Sequence, residues 1–551
     1  MSYLSGNVPG NLEEWEKHEG QYISRSLSSL PDARKLTVLL SVGVITAIEI
    51  SNRLSINVLL PDMQGNVAAN ADEISWVVNL YSLGFLCSLA LSTWMTRVVG
   101  ARRHLLCCIG LYSVGAFGCF LSARSLESLL ISRLIMGFGG GAFLVRTVIL
   151  AGLMFPGAAR IRAVTYLYSL LFIFQITYPV AMGWINDQLH WNYAFLIDFP
   201  FLTIGAFMIW KFVPAGYLFR REQEANPDIT GALLLIVSLA CLQLATSRGE
   251  RDLWFESAWI PWTLLASLIC FIIFLWRDSR PENLYPVFHL RMIWKQGALR
   301  TSFSVVLIVG AILGAGLFVV PQYLRYVQDY SAMQTGGFIS MYTAGLGLGL
   351  IVSLRFLVPR LGGPRTLGLG LCLLIATCAS LIYIWTPTTP TEILAPAIFL
   401  QGLALAPTVL AAANVATANT PLPDLNDIST TYFFVRQLGN TFGVTAATVL
   451  FDHRMTFHSS RMLDVANRLD PITRSTLAQY TGLVHRNGGG GSNPALGALQ
   501  IFQGNVITQS RLLSYLDIYF GLAALAALGL FLLAFTRIEK KYTDRHHFHV
   551  Y

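Results

Sequence analysis

LTVLLSVGVITAIEISNRLSINVLL, residues 36–60, carries two charged side chains, Glu49 and Arg53, in a run that is otherwise apolar or small and polar. About 20 mainly apolar residues make a helix long enough to cross the hydrocarbon core of a bilayer. Similar runs follow near 74–96, 104–123, 127–154, 162–185, 192–213, 229–247, 258–276, 298–322, 335–358, 366–385, 392–417, 429–451 and 513–536. Backbone groups in lipid must be satisfied internally, and barrel strands need only about 9–11 residues of alternating polarity. The sequence therefore predicts an all-α membrane protein with 14 transmembrane helices.

Composition points the same way. Of 551 residues, 54% are hydrophobic and 12% charged, about half the ~25% charged share of a soluble domain. This excludes a cytosolic enzyme. The net charge of +8 is not gathered into one basic block, so a nucleic-acid partner is not expected. Each of the eight cysteines falls inside an apolar run, where it reads as a small packing residue. The start, MSYLSGNVPGNLEEWEKHEG, is too polar and acidic for a secretory signal.

Basic residues orient the spans. With the N-terminal tail inside, even-numbered loops and both tails hold most of them, including Arg34, Lys35, Arg97, Arg102, Arg103, Arg160, Arg360, Arg365, Lys540 and Lys541. The short outer loops hold only Arg124, Arg248, Arg251 and Arg325. Both ends are expected to be cytoplasmic in a cell inner membrane. One long outer loop, 452–510, carries a Gly-rich tip and reads as a solvated cap or as the docking surface of a periplasmic adaptor protein.

An internal repeat divides the chain. RVVGAR (Arg97 to Arg102) matches RLGGPR (Arg360 to Arg365), Pro61 matches Pro321, and Met136-Gly137 matches Gln401-Gly402, all at nearly one offset. Such duplication marks transporter folds. The expected organisation is a tail at 1–35, a six-helix half at 36–213, two inserted helices with a cytoplasmic linker at 214–297, a second six-helix half at 298–536, and a tail at 537–551.

Six stretches carry a family resemblance: NVLLP (Asn57 to Pro61), Gly100 to Arg103, ISRLIMGFGGGAF (Ile131 to Phe143), HWNYAFLIDFP (His190 to Pro200), PQYLRYVQDYSAMQTGGF (Pro321 to Phe338) and FVRQLGNTFGV (Phe434 to Val444). From Leu36 to Arg537 the chain resembles the major facilitator superfamily, and within it the fourteen-span drug:proton antiporters. The resemblance implies a gating loop at Arg97, Gly100, Arg102 and Arg103. There the chain departs from the family's G-x-L-A-D-R-x-G-R-R, with Thr93 for glycine, Arg97 for aspartate and Val98 for arginine. In span 5 the antiporter pattern G-x-x-x-G-P-x-x-G-G is reduced to QITYPVAMGW, keeping Pro179 and Gly183.

Charges inside spans cost ~2.5–3.5 kcal/mol each on insertion scales and require a partner or a task. Glu49 and Arg53 share one helix side, either as a proton carrier with its partner or as a static pair. The resemblance puts Asn52 where the family carries a span 1 acid, and Arg133 at the arginine of the span 4 motif. Asp198 stands where relatives show asparagine, as a second acid or a solvated residue near the outer mouth. Glu49, Asp198 and Arg133 are the proton-coupling candidates. The substrate-cavity candidates are Arg53, Asn57, Arg146, Gln175, Tyr178, Asn414 and Arg436. The candidate interior is net basic, which favours an anionic or zwitterionic amphiphile. Gly439 and Gly443 form a small-xxx-small packing face.

No Walker loop, nucleophile elbow or HExxH occurs, so an enzyme is not expected, nor a cofactor or metal. His546 to His549 reads as an exposed tail. The expected protein is a secondary transporter, a proton-coupled exporter of amphiphilic compounds working by alternating access. The alternative is a carrier of a specific organic anion or siderophore-like metabolite without antiport.

Overall fold

The computed structural model describes residues 31–155, 158–213, 228–249, 251–280, 287–288, 297–417, 425–466, 470–486 and 494–535. The N-terminal tail, most of the linker, the Gly-rich tip and the tail with His546 to His549 lie outside the described residues. The helices are α1 Asp32–Asn66, α2 Ala71–Val99, α3 Ala101–Leu121, α4 Leu126–Gly140, α5 Phe143–Met154, α6 Ala158–Gln188, α7 Asp198–Phe212, α8 Ile229–Arg248 and α9 Ile260–Asp278. The remainder are α10 Gly297–Tyr326, α11 Ala332–Val352, α12 Val358–Leu361, α13 Gly363–Ile384, α14 Thr391–Thr417, α15 Leu425–Val465, α16 Pro471–Arg486 and α17 Pro494–Phe535.

Among the described residues, twelve spans are long and apolar enough to cross a membrane, two fewer than expected. The two that fall short are α1 and α15. Each strings polar groups along its length, Glu49, Asn52, Arg53 and Asn57 on α1 and Arg436, Gln437, Asn440 and Thr441 on α15. Glu49 and Asn52 are fully buried, and the other six line one large cavity.

Two local features differ from the expected runs. Span 4 is broken after Gly140 and resumes at Phe143 as α5. The segment 452–510, expected as a loop, is helical over much of its length: α15 and α17 run on past their apolar parts, with α16 between them. No glycine or proline interrupts 452–465, so the helix has no reason to stop at the end of its apolar part.

Equivalent features recur along the chain at nearly constant spacing. Capping boxes start α2 (Asn70 with Glu73) and α11 (Ser331 with Gln334), each satisfying two of the orphan donors at a helix start. Gly137 of α4 lies against the Tyr81 carbonyl, and Gly402 of α14 against the Tyr342 carbonyl. Gly100 and Gly362 both adopt positive φ, 90° and 79°, each ending one helix and starting the next. The backbone counterpart of Gly100 is thus Gly362, one residue before the match read from RLGGPR. Gly362 follows Tyr342 by one residue more than Gly100 follows Tyr81, and a π-helical turn at Ser353–Leu357 takes up that extra residue.

Buried apolar residues form one large cluster from Val38 to Phe288, joined by Phe434, and another from Leu299 to Ala526. A small cluster of Val58, Ala332 and Ile339 lies apart from both. Gly439 and Gly443 press α15 onto the Leu307 and Ala311 carbonyls of α10, the close helix contact expected of that face.

A buried charge network beside a large cavity

Glu49 is fully buried one turn before Arg53 on α1, and Arg53 Nε lies 3.1 Å from its Oε1. That oxygen also accepts a 2.8 Å hydrogen bond from the Tyr81 hydroxyl of α2. Room for this contact comes from the glycine run that ends α4. A Cβ on Gly140 would stand 2.9 Å from the Tyr81 hydroxyl oxygen and 3.0 Å from Glu49 Cγ.

Arg133, also fully buried, stacks over the Tyr81 ring with Cζ 4.3 Å from its centroid. Its Nε donates to the Val77 carbonyl at 3.1 Å and its Nη1 to Asn52 Oδ1 at 3.4 Å. Asn52 Nδ2 in turn donates to Asp198 Oδ2 at 3.0 Å. Asp198 is not solvated: it is fully buried and also accepts from Tyr178 at 2.5 Å and from Tyr112 at 3.4 Å. Buried carboxyls without such donors would carry a large desolvation cost. The three proton-coupling candidates thus belong to one network, joined through Asn52 and Tyr81.

At its other end the network reaches α15. Arg53 Nη1 donates to Gln437 Oε1 of α15 at 2.8 Å, and the guanidinium lies 4.5 Å from the Phe85 centroid. Arg53 also lines a cavity of about 1060 Å³ with Asn57, Gln175, Arg436 and Gln437. Aromatic walls come from Tyr168, Phe172, Tyr342, Tyr432 and Phe433. Among the described residues, Arg251 and Arg511 join Arg53 and Arg436 in the lining, against the carboxylate of Asp452. Arg436 lies 5.3 Å from the Phe433 centroid and 5.9 Å from that of Tyr432.

Of the expected cavity residues, Arg53, Asn57, Gln175 and Arg436 line it, whereas Arg146, Tyr178 and Asn414 do not. Arg146 is buried with Nε 3.1 Å from Ser92 Oγ. Its side chain turns to α2 and not to the cavity. Tyr178 turns to Asp198 instead. Asn414 stands near Gly363, close to the start of α13. Of the gating residues, Arg97 is in the last turn of α2, and its side chain lies outside the described residues. Arg102 lies 5.9 Å from the Trp210 centroid, and Arg103 is exposed.

Sequence reasoning assigned no task to Gln437, Tyr112 or Arg511. The signal for Gln437 is its place beside Arg436; Arg511 lies past the end of the 452–510 segment, where its charge reads as solvated. The reduced span 5 motif has a packing role: Gly183 meets the Ala332 carbonyl of α11, while Gly336 meets that of Pro179.

Polar contacts tie α1, α6 and α10 together where α1 and α10 end. Arg325 Nη2 lies 2.5 Å from Asp62 Oδ2, which also accepts from Asn186 at 2.9 Å. The pair is partly exposed, so about 1 kcal/mol is the ceiling for it. Asp62→Asn is expected to raise the labelling rate of a cysteine placed at Gln64 up to about fivefold. An unchanged rate would show that these contacts do not hold this end shut.

Comparisons with known proteins agree with this geometry. The family model described as Major Facilitator Superfamily matches residues 40–444. The chain is 24% identical over 448 residues to the multidrug export protein EmrB of Haemophilus influenzae, covering 79% of this chain and 84% of that protein. It is 24% identical over 437 residues to the fatty acid resistance protein FarB of Neisseria gonorrhoeae, covering 78% and 83%. Among solved structures, a bacterial homolog of the human lysosomal transporter Spinster, in an inward-facing and occupied conformation, superposes with a TM-score of 0.55. It is 16% identical, with 92% of this chain and 98% of that chain covered.

Proposed function

The chain belongs to the Major Facilitator Superfamily, which makes it a multi-pass secondary transporter of small solutes and not an enzyme, and from that premise we propose that it exports amphiphilic compounds in exchange for protons by alternating access. The observation that carries this reading is the buried path of contacts from Asp198 through Asn52, Arg133, Tyr81 and Glu49 to Arg53 on the cavity wall. A proton gained or lost by an acid on that path changes the field at the wall where a solute sits. An inward-moving proton supplies ~2.3 kcal/mol per 100 mV.

The proposed machine belongs to the fourteen-span drug:proton antiporter subgroup, with α1 and α15 crossing alongside the twelve apolar spans. Its two six-helix halves flank an inserted pair, α8 and α9. The recurring caps, glycines and helix contacts support this division, as do the two apolar clusters. So does the approach of Asn57 Nδ2 to the Leu317 carbonyl at 3.5 Å, for these positions correspond in the Pro61 and Pro321 match. The basic loops support cytoplasmic ends in a bacterial inner membrane. On that orientation the extensions of α15 and α17 stand outside with α16. They are the surface this reading gives to a periplasmic adaptor, supported by exposed Val465, Ile472 and Leu496.

One observation favours a second reading, carriage of a specific organic anion or siderophore-like metabolite without antiport: among the described residues, the cavity lining has four arginines and one aspartate. The name of FarB suits an anionic amphiphile under either reading. Purified protein in proteoliposomes with an imposed pH gradient separates the two. Antiport requires the gradient to drive solute movement and added solute to discharge it. Solute flux indifferent to the gradient would leave the second reading. Tight binding of a lipophilic cation with no binding of anionic amphiphiles would refute the preference for anions.

A further inference from the structure

Gln437 has a side chain whose two ends face different tasks. Its Oε1 accepts from Arg53 Nη1. Reversing the amide would set its N–H groups against the guanidinium, donor against donor, so Arg53 determines its orientation. That leaves Nε2 with no hydrogen-bond partner among the described residues, on a side chain only 5% exposed that lines the cavity. A buried donor without an acceptor bears its desolvation penalty in full. An acceptor oxygen on a cavity occupant would relieve it.

The neighbouring positions suit such an occupant. Along α15, Gln437, Asn440, Thr441, Thr445 and Thr448 all line the cavity, a polar stripe at helical spacing across from aromatic and aliphatic walls. An amphiphile lying there sets its polar edge on the stripe and its body against the rings. Glu49 Oε2 also has no hydrogen-bond partner among the described residues. Any shift of Arg53 toward Gln437 or away from it therefore changes what neutralises Glu49.

We propose that Gln437 reads an acceptor oxygen on the transported compound through Nε2 and, by holding Arg53 through Oε1, links occupancy of the cavity to the charge on Glu49. This rests on the exporter reading for its purpose but not for its test. Among the described residues, the charged and titratable groups facing Glu49 are Arg53 on α1, Tyr81 on α2, Tyr112 on α3 and Arg133 on α4. Gln437 is the contact from α15 to that set through Arg53.

The test is equilibrium binding to the full chain in lipid nanodiscs, which needs no transport. The probes are decanoate, which has acceptor oxygens, and tetraphenylphosphonium, which has none. Gln437→Leu is expected to raise the decanoate Kd about tenfold, leave the tetraphenylphosphonium Kd within about twofold, and flatten the pH dependence of decanoate binding. Gln437→Glu keeps an oxygen for Arg53, loses the donor and adds a negative charge that itself repels decanoate; it should weaken decanoate at least as much and retain a pH dependence. If Gln437→Leu does not accumulate, Gln437→Met, neutral, similar in length and also without the donor, decides through its selectivity between the probes. Unchanged decanoate affinity, or equal weakening of both probes, overturns the proposal. A wild-type protein that binds decanoate through Gln437 but moves no protons would overturn the exporter reading and leave acceptor recognition standing.

Discussion

Glu49→Gln is expected to abolish proton exchange during transport and to lower the solute gradient sustained at 100 mV about 50-fold, while substrate-for-substrate exchange stays within about threefold of wild type. One proton per cycle is worth ~2.3 kcal/mol at that potential, and this energy converts to the stated factor. Glutamine keeps the volume of the side chain and an oxygen for Tyr81, so the packing around Gly140 survives. What it removes is the ion pair with Arg53. Arg53 is about a fifth exposed at the cavity, so the loss costs less than the ~3–5 kcal/mol of breaking a fully buried pair. Asp198→Asn probes the other end of the path. Asparagine can keep the Asn52 contact or one tyrosine contact but presents a donor where an acceptor stood, so a partial loss of coupling is expected. The measurement is pH-dye quenching in proteoliposomes beside radiolabelled counterflow. Wild-type proton exchange in both variants would remove these acids from the mechanism.

Gly402→Leu is expected to eliminate folded protein. A Cβ at this position would overlap the Tyr342 carbonyl oxygen, which is backbone and cannot swing aside. Separating α11 from α14 to admit the side chain would open the interface on which the second apolar cluster depends. The expected cost is more than about 4 kcal/mol, in the range reserved for gross overpacking. Gly137→Leu, which meets the Tyr81 carbonyl, should fail alike and also disturb the tyrosine that binds Glu49. Gly110→Leu is the control, because a Cβ there meets nothing within 4 Å. Monodisperse yield and thermal unfolding in detergent check the result. Wild-type yield and melting for Gly402→Leu would show that the helices can part at little cost.

Much of this site was legible because some of its rules are local. Glu49 and Arg53 lie one turn apart, and helix geometry alone puts them in contact. The cost of charge in lipid singled out Arg133 and Asp198 without reference to any neighbour. The glycines at 439 and 443 announced a close helix contact through their spacing. Arg146 shows where local reading stops: its charge marks a residue that needs a partner, but that it faces Ser92 of α2 and not the cavity depends on how the helices pack. The continued helices at 452–465 and 494–510 show a second limit: polarity marks where an apolar crossing ends, not where backbone hydrogen bonding ends.

By itself the sequence determined a bundle of membrane helices, the repeated marks along it and the few polar residues that need a reason to be there, because hydropathy, capping and i to i+4 geometry act within one segment. Only the tertiary structure decided which of those residues meet. Arg53 finds Gln437 across 384 positions, Asn52 joins Arg133 to Asp198, and Tyr178 leaves the cavity for a carboxylate. These meetings depend on the rotation and height of each helix against its neighbours, which backbone contacts at glycines such as Gly137, Gly402 and Gly439 set, and no single segment encodes them.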